Sequence, residues 1–416
     1  MINKKSLEAV DSAGFSTHFC PPLYSSYCFS QIPATIERLL GVGDAGLPSD
    51  VFGDKPLPVD HVVLLFLDGF GWRFFEEFKS KIPQLANLEK TGVVSKLTSM
   101  FPSTTAAHVT CIHTDLPPAA SGIYEWFMLE PSLNEVIAPL LFSFAGDHQV
   151  GSLTKTDLLP TDLYPTTTLY HRLREKGVKA TAVQPKAIAS SPYSNTVLDG
   201  AEVIGYGKAA EGLESVLKSL QKKSYTYFYF SDIDSIGHRK GVHSPEFFQA
   251  IEKVFVEIET FASKLPENTA LMVTADHGMV EVDPKTTYYL NEHIPNMDKY
   301  FLTSQKGRPL TPAGSCRDFF LHVRDESLNE LAEILSIFLE GKAEVYLTKE
   351  LIERGFFGPQ RCTEKFLSRV GNLVILPYRG EAVWWHERHR FEQNFFGAHG
   401  GLTREEMEIP FYFSCR

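Results

Sequence analysis

The chain has 416 residues, of which 43% are hydrophobic and 22% are charged, and its formal net charge at pH 7 is −11. This length exceeds what one hydrophobic core usually serves, so we expect one large domain with an insertion, or two domains. The acidic balance excludes a general binder of the nucleic-acid backbone, because that task needs a basic surface.

The N-terminal segment and the cysteines predict a cytoplasmic protein without a membrane partner. Residues 1–15 lack an apolar stretch of signal-peptide length, and the longest apolar run, residues 62–67, is too short to span a bilayer. The cysteines show no CxxC spacing, so we expect free thiols rather than disulfides. They are Cys20, Cys28, Cys111, Cys316, Cys362 and Cys415.

Residues 1–59 are rich in Pro, Ser and Gly, and we expect a lead-in packed on the main domain, with one helix over 33–40. The next segment, His61 to Leu67, is an apolar strand that ends at Asp68. A carboxylate after a buried strand is a candidate metal ligand. The alternative is that Asp68 caps a helix over 72–78.

A predicted helix over 83–90 and a strand over 92–98 lead to the hydroxyl cluster Ser103, Thr104 and Thr105, which opens another helix. These hydroxyls are either helix caps or include a nucleophile, because a helix N-terminus favours anions and a bound metal activates a hydroxyl. A loop follows over 116–122. The aromatic segment after it, residues 124–128 with Glu125 inside, is a candidate pocket lining.

Two further strands end in pairs of metal-seeking side chains. The strand over 225–230 leads to Asp234 and His238, and the strand over 270–274 leads to the adjacent Asp276 and His277. Asp and neutral His together suit a borderline ion such as zinc. The alternative for Asp234 and His238 is that they are loop residues without a role in binding. The alternative for the second pair is that Asp276 caps a helix and His277 is a hydrogen-bonded structural residue.

The remaining elements divide the chain into two parts. We predict helices over 169–176, 207–220 and 244–265 and a strand over 178–183 in the first part. Beyond Asp283 the pattern becomes α+β, with strands over 317–323, 345–347 and 373–377 and a helix over 327–339. The sequence then returns to His399 among glycines, a short acidic helix capped by Thr403 and a last strand. We therefore predict a catalytic α/β domain at 60–283 and 395–416, interrupted by an α+β cap at 284–394.

The alternation of strands and helices predicts a doubly wound, mainly parallel sheet, whose strands all end at one edge. The strand-end groups can therefore meet there. Three carboxylates, three imidazoles and a hydroxyl suit two divalent ions. Two such ions at a separation of about 4 Å stabilise both the attacking and the leaving oxygen of a displacement at phosphorus. The residues predict phosphoryl or sulfuryl transfer. They are Asp68, Thr105, Asp234, His238, Asp276, His277 and His399.

As an ordered set, these motifs resemble the alkaline phosphatase superfamily and, within it, the type I phosphodiesterase/nucleotide pyrophosphatase family. The resemblance covers roughly residues 60–280 and 395–414, and it implies the alkaline-phosphatase-like fold. It makes Thr105, rather than Thr104, the nucleophile and excludes Asp232 as a ligand. The matching motifs are Leu-Asp-Gly at 67–69, Phe-Pro-x-x-Thr at 101–105, Asp-x-x-Gly-His at 234–238, Asp-His-Gly-Met at 276–279 and Gly-x-His-Gly at 397–400.

The resemblance also implies a ligand set and a mechanism. One ion would be held by Asp234, His238 and His399, and the other by Asp68, Asp276, His277 and the Thr105 oxygen. Zinc is the expected metal, and such ligands also accept manganese, iron or magnesium. The implied reaction has two steps, formation of a phospho-threonine at Thr105 and its hydrolysis by water.

The sequence departs from the family at Trp126, where the resemblance implies an asparagine that contacts a phosphate oxygen. The choice between diesters and monoesters therefore stays open. Trp126 and Tyr124 either stack on a base or floor the pocket, and Arg317 either reaches a phosphate from the cap or forms a surface salt bridge. We expect a metal-dependent hydrolase of phosphate diesters or pyrophosphates, with a small nucleotide as substrate. The alternatives are a phosphomonoesterase, a phosphonate hydrolase, a mutase, or a non-catalytic binding protein.

Overall fold

A computed structural model of the chain describes residues 1–55, 57–147 and 149–416. The strands are β1 (His61–Leu67), β2 (Val93–Thr98), β3 (Met128–Glu130), β4 (Glu135–Ala138), β5 (Ser143–Phe144), β6 (Lys179–Pro185), β7 (Glu202–Tyr206), β8 (Ser224–Phe230), β9 (Thr269–Thr274), β10 (Val280–Glu281), β11 (Tyr288–Tyr289), β12 (Ala313–Ser315), β13 (Asp318–Leu321), β14 (Ala343–Leu347), β15 (Leu373–Pro377), β16 (Val383–Trp384), β17 (Gly397–Ala398) and β18 (Glu408–Cys415).

The α-helices cover both faces of the central sheet and fill the connections between strands. They are α1 (Lys4–Ser12), α2 (Ile32–Leu39), α3 (Trp72–Phe78), α4 (Pro83–Thr91), α5 (Thr105–Thr114), α6 (Pro118–Ser121), α7 (Pro160–Leu163), α8 (Leu169–Glu175), α9 (Pro192–Val197), α10 (Ala209–Ser219), α11 (Asp232–Lys240), α12 (Pro245–Ala262), α13 (Leu290–His293), α14 (Leu328–Phe338), α15 (Thr348–Glu353), α16 (Glu364–Arg369) and α17 (Arg404–Met407).

The central sheet has seven strands in the order β2-β18-β9-β1-β8-β6-β7. Strand β18 runs antiparallel to its neighbours β2 and β9, and the other six strands share one direction. The mainly parallel α/β sheet predicted from the sequence is therefore confirmed. Its central strands β1, β8 and β9 are mostly apolar and almost completely buried because helices cover both faces, and all seven residues of β8 are buried.

The register of the central strands aligns their carboxyl ends. Leu67, the last residue of β1, lies opposite Phe230, the last residue of β8, and Phe66 lies opposite Thr274, the last residue of β9. The backbone N–H of Asp68 continues this pairing and donates to the Phe230 carbonyl at 3.0 Å. The segments that leave these three strands therefore start side by side.

Residues 290–384 contain a second hydrophobic cluster with its own antiparallel sheet, in the order β12-β13-β15-β14. Successive residues of β13 face opposite sides of this sheet. Phe319 and Leu321 belong to the second cluster, whereas Phe320 packs into the main core. One face of the cap sheet is thus buried within the second cluster, and the other packs against the main core of the α/β domain, which we call the catalytic unit after its predicted role. The boundaries at 284 and 394 stay predictions.

Several elements differ from the sequence-based expectation. Helix α1 begins where we predicted an irregular lead-in, and the Asn3 side chain caps it by accepting from the Ser6 N–H at 3.3 Å. Strands β3 to β5 form a small antiparallel sheet just after the predicted loop. The edge strand β7 was not predicted, because its half-exposed sequence lacks the apolar run that identifies the central strands.

The described part of the chain contains no helix that is both long enough and apolar enough to cross a membrane. The six cysteines are free, as predicted, and Cys20, Cys28 and Cys111 are buried.

Candidate active site at the carboxyl edge of the sheet

The first group of metal-seeking side chains is Asp234, His238 and His399. Helix α11 follows β8 directly, so Asp234 and His238 lie one turn apart on the same helix face. The His238 Nε2 atom is 3.2 Å from Asp234 Oδ1, and the His399 Nε2 atom is 3.6 Å from the same oxygen. His399 comes from the loop after β17, so the group joins two distant parts of the chain.

Both imidazoles of this group direct their Nε2 atoms at each other. The Nδ1–H of His238 donates to the Gly397 carbonyl at 2.7 Å, and the Nδ1–H of His399 donates to the Ser103 carbonyl at 3.0 Å. Each ring therefore presents an Nε2 lone pair, and the two Nε2 atoms are 3.2 Å apart. Backbone acceptors that fix the tautomer in this way are typical of histidines that bind a metal.

The Asp234 carboxylate completes this arrangement. Its Oδ1 atom is buried and accepts no hydrogen bond from any described residue. Burial lowers the pKa of His399 well below its ordinary value, so this imidazole is neutral and able to ligate. Burial also lowers the pKa of His238, but the Asp234 carboxylate outweighs it and leaves that pKa above the ordinary value. The raised pKa favours a second proton on the His238 imidazole, beside the Asp234 carboxylate. A divalent cation bound by this group would take the place of that proton.

The second group is Asp68, Asp276 and His277, at the ends of β1 and β9. The His277 Nε2 atom is 3.4 Å from Asp68 Oδ1 and 3.3 Å from Asp276 Oδ2. The other oxygen of Asp276 accepts from the backbone N–H groups of Gly69 at 3.1 Å and His277 at 3.0 Å. The Tyr229 hydroxyl donates to the other oxygen of Asp68. One oxygen of each carboxylate is therefore anchored, and the other faces His277.

The electrostatics of the second group favour a bound cation. Burial, together with Asp276 and Asp234, raises the pKa of Asp68 well above its ordinary value, and burial raises the pKa of Asp276 to about 7. Burial also lowers the pKa of His277 well below its ordinary value, which leaves a neutral imidazole. The Asp276 Oδ2 atom is buried without a hydrogen-bond donor among the residues that the structure describes. Buried carboxylates this close repel one another unless protons or metal ions neutralise them.

The two groups adjoin, and both fit a divalent ion. The rings of His277 and His399 stack with their centroids 3.5 Å apart. All six side chains divide into the two triads that the resemblance implies, and within each triad the candidate ligand atoms lie within 4.8 Å of one another. Carboxylate and imidazole donors in this ratio suit zinc and similar transition metals.

The Thr105 hydroxyl lies against the second group. Thr105 is the first residue of α5, and its Oγ1 atom is 3.2 Å from His277 Nε2 and 3.4 Å from Asp68 Oδ1. The alternative assigned to this cluster, helix capping, does not describe it, because the Thr104 side chain at the N-cap makes no capping hydrogen bond. Likewise, Asp68 does not cap α3, which begins after Gly71.

A cavity of about 430 Å³ opens above these residues, between the catalytic unit and the cap. Its floor includes Thr105, Asp234, His238 and His399, and its wall is aromatic. Trp126 lines this wall with 38% of its surface exposed, which agrees with the prediction of a pocket residue there. The other aromatic side chains of the wall are Phe127, Trp384, Phe391 and Phe395.

Two predicted substrate contacts were wrong. Tyr124 is fully buried, and its hydroxyl donates to the Arg369 carbonyl at 3.2 Å, so it faces away from the cavity. Arg317 is also fully buried and forms an ion pair with Glu406. Both the phosphate contact and the surface salt bridge proposed for Arg317 are therefore incorrect.

The cavity also contains a carboxyl group to which the sequence analysis assigned no role, although its segment, residues 124–128, was predicted to line a pocket. Glu125 lines it, with only 1% of the residue exposed. The available signal was an acidic residue inside an aromatic run, since such a residue becomes buried together with its neighbours. Its buried neighbour Asp318, on β13, gave no comparable signal.

The chain is similar in sequence to known proteins. The family model described as "Type I phosphodiesterase / nucleotide pyrophosphatase" matches residues 62–402. The chain is 22% identical to rat ectonucleotide pyrophosphatase/phosphodiesterase family member 3 over 406 residues, which are 92% of this chain and 43% of that protein. It is 22% identical to venom phosphodiesterase 2 of Crotalus adamanteus, over 72% of this chain and 36% of that protein. The chain thus spans less than half the length of these curated relatives.

Solved structures show the same fold. Murine ectonucleotide pyrophosphatase/phosphodiesterase 5, an inactive variant in complex with AMP, matches with a TM-score of 0.64 and 18% identity, over 85% of this chain and 87% of that one. The human protein of the same name matches with a TM-score of 0.63 and 18% identity over the same shares.

Proposed function

This chain belongs to the type I phosphodiesterase/nucleotide pyrophosphatase family, and from that premise we propose that it hydrolyses nucleotide-type phosphate diesters or pyrophosphates with Thr105 as the nucleophile. Family membership makes it a hydrolase of this class. The observation that carries the finer proposal is the position of the Thr105 hydroxyl, which lies against the second carboxylate–imidazole group and lines the same cavity as the first.

We propose that each group holds one divalent ion, with zinc as the first candidate and manganese, iron or magnesium as alternatives. Asp234, His238 and His399 would hold one ion. The other would be held by Asp68, Asp276, His277 and the Thr105 oxygen. When bound, such ions neutralise the carboxylates, polarise a phosphoryl oxygen and lower the pKa of a coordinated hydroxyl.

In this proposal, the chain's own residues bind and transfer the phosphoryl group. The Thr105 Oγ1 atom forms a bond to phosphorus while the bond from phosphorus to the leaving oxygen breaks, and the hydroxyl proton ends on that oxygen. Water then breaks the bond between phosphorus and Oγ1 and restores the hydroxyl. The sum is one diester and one water converted into one monoester and one alcohol. The N-terminus of α5 favours the negative charge that gathers there.

Two observations support a nucleotide as substrate. The murine relative was solved with AMP bound, and the cavity of this chain has an aromatic wall on which a base can pack. Exposed aromatic side chains stand at its rim, with Trp126 38% and Phe395 48% exposed.

We expect the zinc-loaded protein to hydrolyse bis(p-nitrophenyl) phosphate faster than p-nitrophenyl phosphate, as measured by steady-state rates on both. A preference for the monoester would overturn the diesterase proposal and would favour a phosphomonoesterase, the alternative that Trp126 leaves open. If the metal-loaded protein hydrolysed neither substrate, the non-catalytic binding protein would be preferred.

We expect His238→Ala or His399→Ala to lose one metal equivalent and to retain the other. Each substitution removes one of three side chains from the first group and none from the second. Elemental analysis after dialysis measures the metal content. His243→Ala is the matched control, because this exposed histidine lies just beyond α11 and outside both groups. Full retention, or loss of both ions together, would contradict the division into two groups.

A further inference from the structure

Glu125 occupies an unusual position for a carboxyl group. It lies in the connection between α6 and β3 and lines the same cavity as Thr105 and the first group. Only 1% of the residue is exposed. A carboxyl group is rarely buried without a partner of opposite charge, because desolvation of its ionised form is costly.

The partners of Glu125 leave part of its carboxyl group unused. The backbone N–H of Trp126 donates to Oε2, while Oε1 is buried and accepts no hydrogen bond from the described residues. The charged side chain that faces it is another acid, Asp318 of β13, and the Thr104 hydroxyl also adjoins it. Arg317, next in sequence to Asp318, is already paired with Glu406. No cation of the described residues therefore pairs with Glu125.

The Asp318 carboxyl group is held in place by hydrogen bonds from Ser315 and lies beside the Glu125 carboxyl group. Its Oδ1 atom accepts from the Ser315 backbone N–H at 3.1 Å and from the Ser315 hydroxyl at 2.5 Å, and its Oδ2 atom is buried without a donor within the described ranges. Two buried carboxyl groups side by side do not both ionise. Burial raises the pKa of Glu125 to about 8 and the pKa of Asp318 well above its ordinary value. At neutral pH the pair therefore retains protons, and a protonated carboxyl group is a hydrogen-bond donor.

We propose that the Glu125 carboxyl group donates a hydrogen bond to a non-bridging oxygen of the substrate's phosphoryl group during attack by Thr105. This role rests on the proposed function and adds a further catalytic residue to it. An ionised carboxylate in the cavity would repel an anionic substrate, whereas a neutral carboxyl group stabilises the charge that builds on the phosphoryl oxygens.

The test compares three variants of the metal-loaded protein. Glu125→Gln keeps the side-chain length and supplies an N–H donor, so we expect its kcat for bis(p-nitrophenyl) phosphate to stay within about 10-fold of the wild type. Glu125→Met keeps the length but cannot donate, and Glu125→Ala removes the group. We expect both to lose about 10²–10³-fold in kcat, which is typical for loss of one such donor, with a much smaller change in KM.

The outcomes separate a donor from other roles. If Glu125→Gln lost as much kcat as Glu125→Met, the side chain would act as an anion and the proposal would be wrong. Wild-type rates in all three variants would also overturn it. Metal content and melting temperature identify a variant that fails for structural reasons. If Glu125→Ala does not fold, the difference in kcat between Glu125→Gln and Glu125→Met still tests whether Glu125 acts as a hydrogen-bond donor.

Binding of orthovanadate by isothermal titration calorimetry gives a readout that does not need turnover. We expect Glu125→Met to bind vanadate more weakly than the wild type and Glu125→Gln to bind it about as tightly. A wild type that binds vanadate but hydrolyses neither ester would contradict the proposed function alone. Equal vanadate affinity in all variants would contradict the role of Glu125 alone.

Discussion

Replacement of Thr105 by alanine is expected to lower kcat by about 10⁴-fold or more, because loss of a nucleophile removes the covalent route altogether. Thr105 is the hydroxyl that lies against the second group, with its oxygen 3.2 Å from His277 Nε2. Both ions should stay bound, since Asp68, Asp276 and His277 remain to hold the second one. Steady-state rates and elemental analysis on the same preparation measure the two effects.

Thr105→Ser is the matched control because it keeps the hydroxyl. We expect this variant to retain measurable turnover and to carry a covalent phosphoryl group when the reaction is quenched with acid, as the wild type does. Thr105→Ala should carry none. Intact-protein mass spectrometry detects the adduct. A near-native rate in Thr105→Ala would show that the nucleophile lies elsewhere.

Replacement of Arg317 by methionine is expected to lower the free energy of unfolding by about 3–5 kcal/mol. The fully buried guanidinium forms two hydrogen bonds with the Glu406 carboxylate, at 3.0 and 2.9 Å, and it donates to the carbonyls of Pro377 and Tyr378 at 3.2 and 2.8 Å. Methionine fills similar space but leaves the Glu406 carboxylate buried and without its counter-charge. The pair joins the start of β13 in the cap to α17, so its loss should also loosen the cap.

Arg379→Met is the matched control for this effect. Arg379 pairs with Glu405, the neighbour of Glu406, at 3.4 Å, but its side chain is 72% exposed. Solvent screens such a pair, so we expect a change within about 0.5 kcal/mol. Urea unfolding followed by circular dichroism measures both variants. Equal losses in the two would mean that burial does not govern the contribution of these pairs.

The central strands could be predicted from the sequence because their signal is local. β1 and β15 have the predicted bounds, since an uninterrupted apolar run buried on both faces has few other structures available. The meeting of the strand-end side chains followed from topology, because parallel strands end at one edge. The burial of these side chains and the distances between them could not be predicted from topology and are known only from the structure.

Side-chain direction could not be predicted in the same way. Tyr124 and Trp126 are two residues apart in one aromatic segment, yet Tyr124 packs edge-on against Phe320 in the core and Trp126 reaches the cavity. Arg317 forms its ion pair with Glu406, which is distant in sequence and lies on the other side of the boundary between cap and catalytic unit. Such choices depend on tertiary packing, which no local pattern contains.

Helix α11 shows where a weak signal was available. Its nine residues contain a glycine and several poor helix formers, so its propensity is low. Its charges nevertheless follow the helix dipole, with Asp232 and Asp234 in the first turn and His238, Arg239 and Lys240 in the last. This ordering predicts a helix, and it would have placed Asp234 and His238 on one face.

The position of β18 between β2 and β9 has a consequence for synthesis on the ribosome. Both neighbours are translated long before their shared partner, so each keeps an edge of unpaired backbone N–H and C=O groups that can template wrong pairing. His399 lies just ahead of β18 and emerges with it. The nascent chain therefore completes the group of Asp234, His238 and His399, the later of its two triads, in the same step that closes these edges. Completion of this candidate metal site and pairing of the aggregation-prone strand edges therefore occur together.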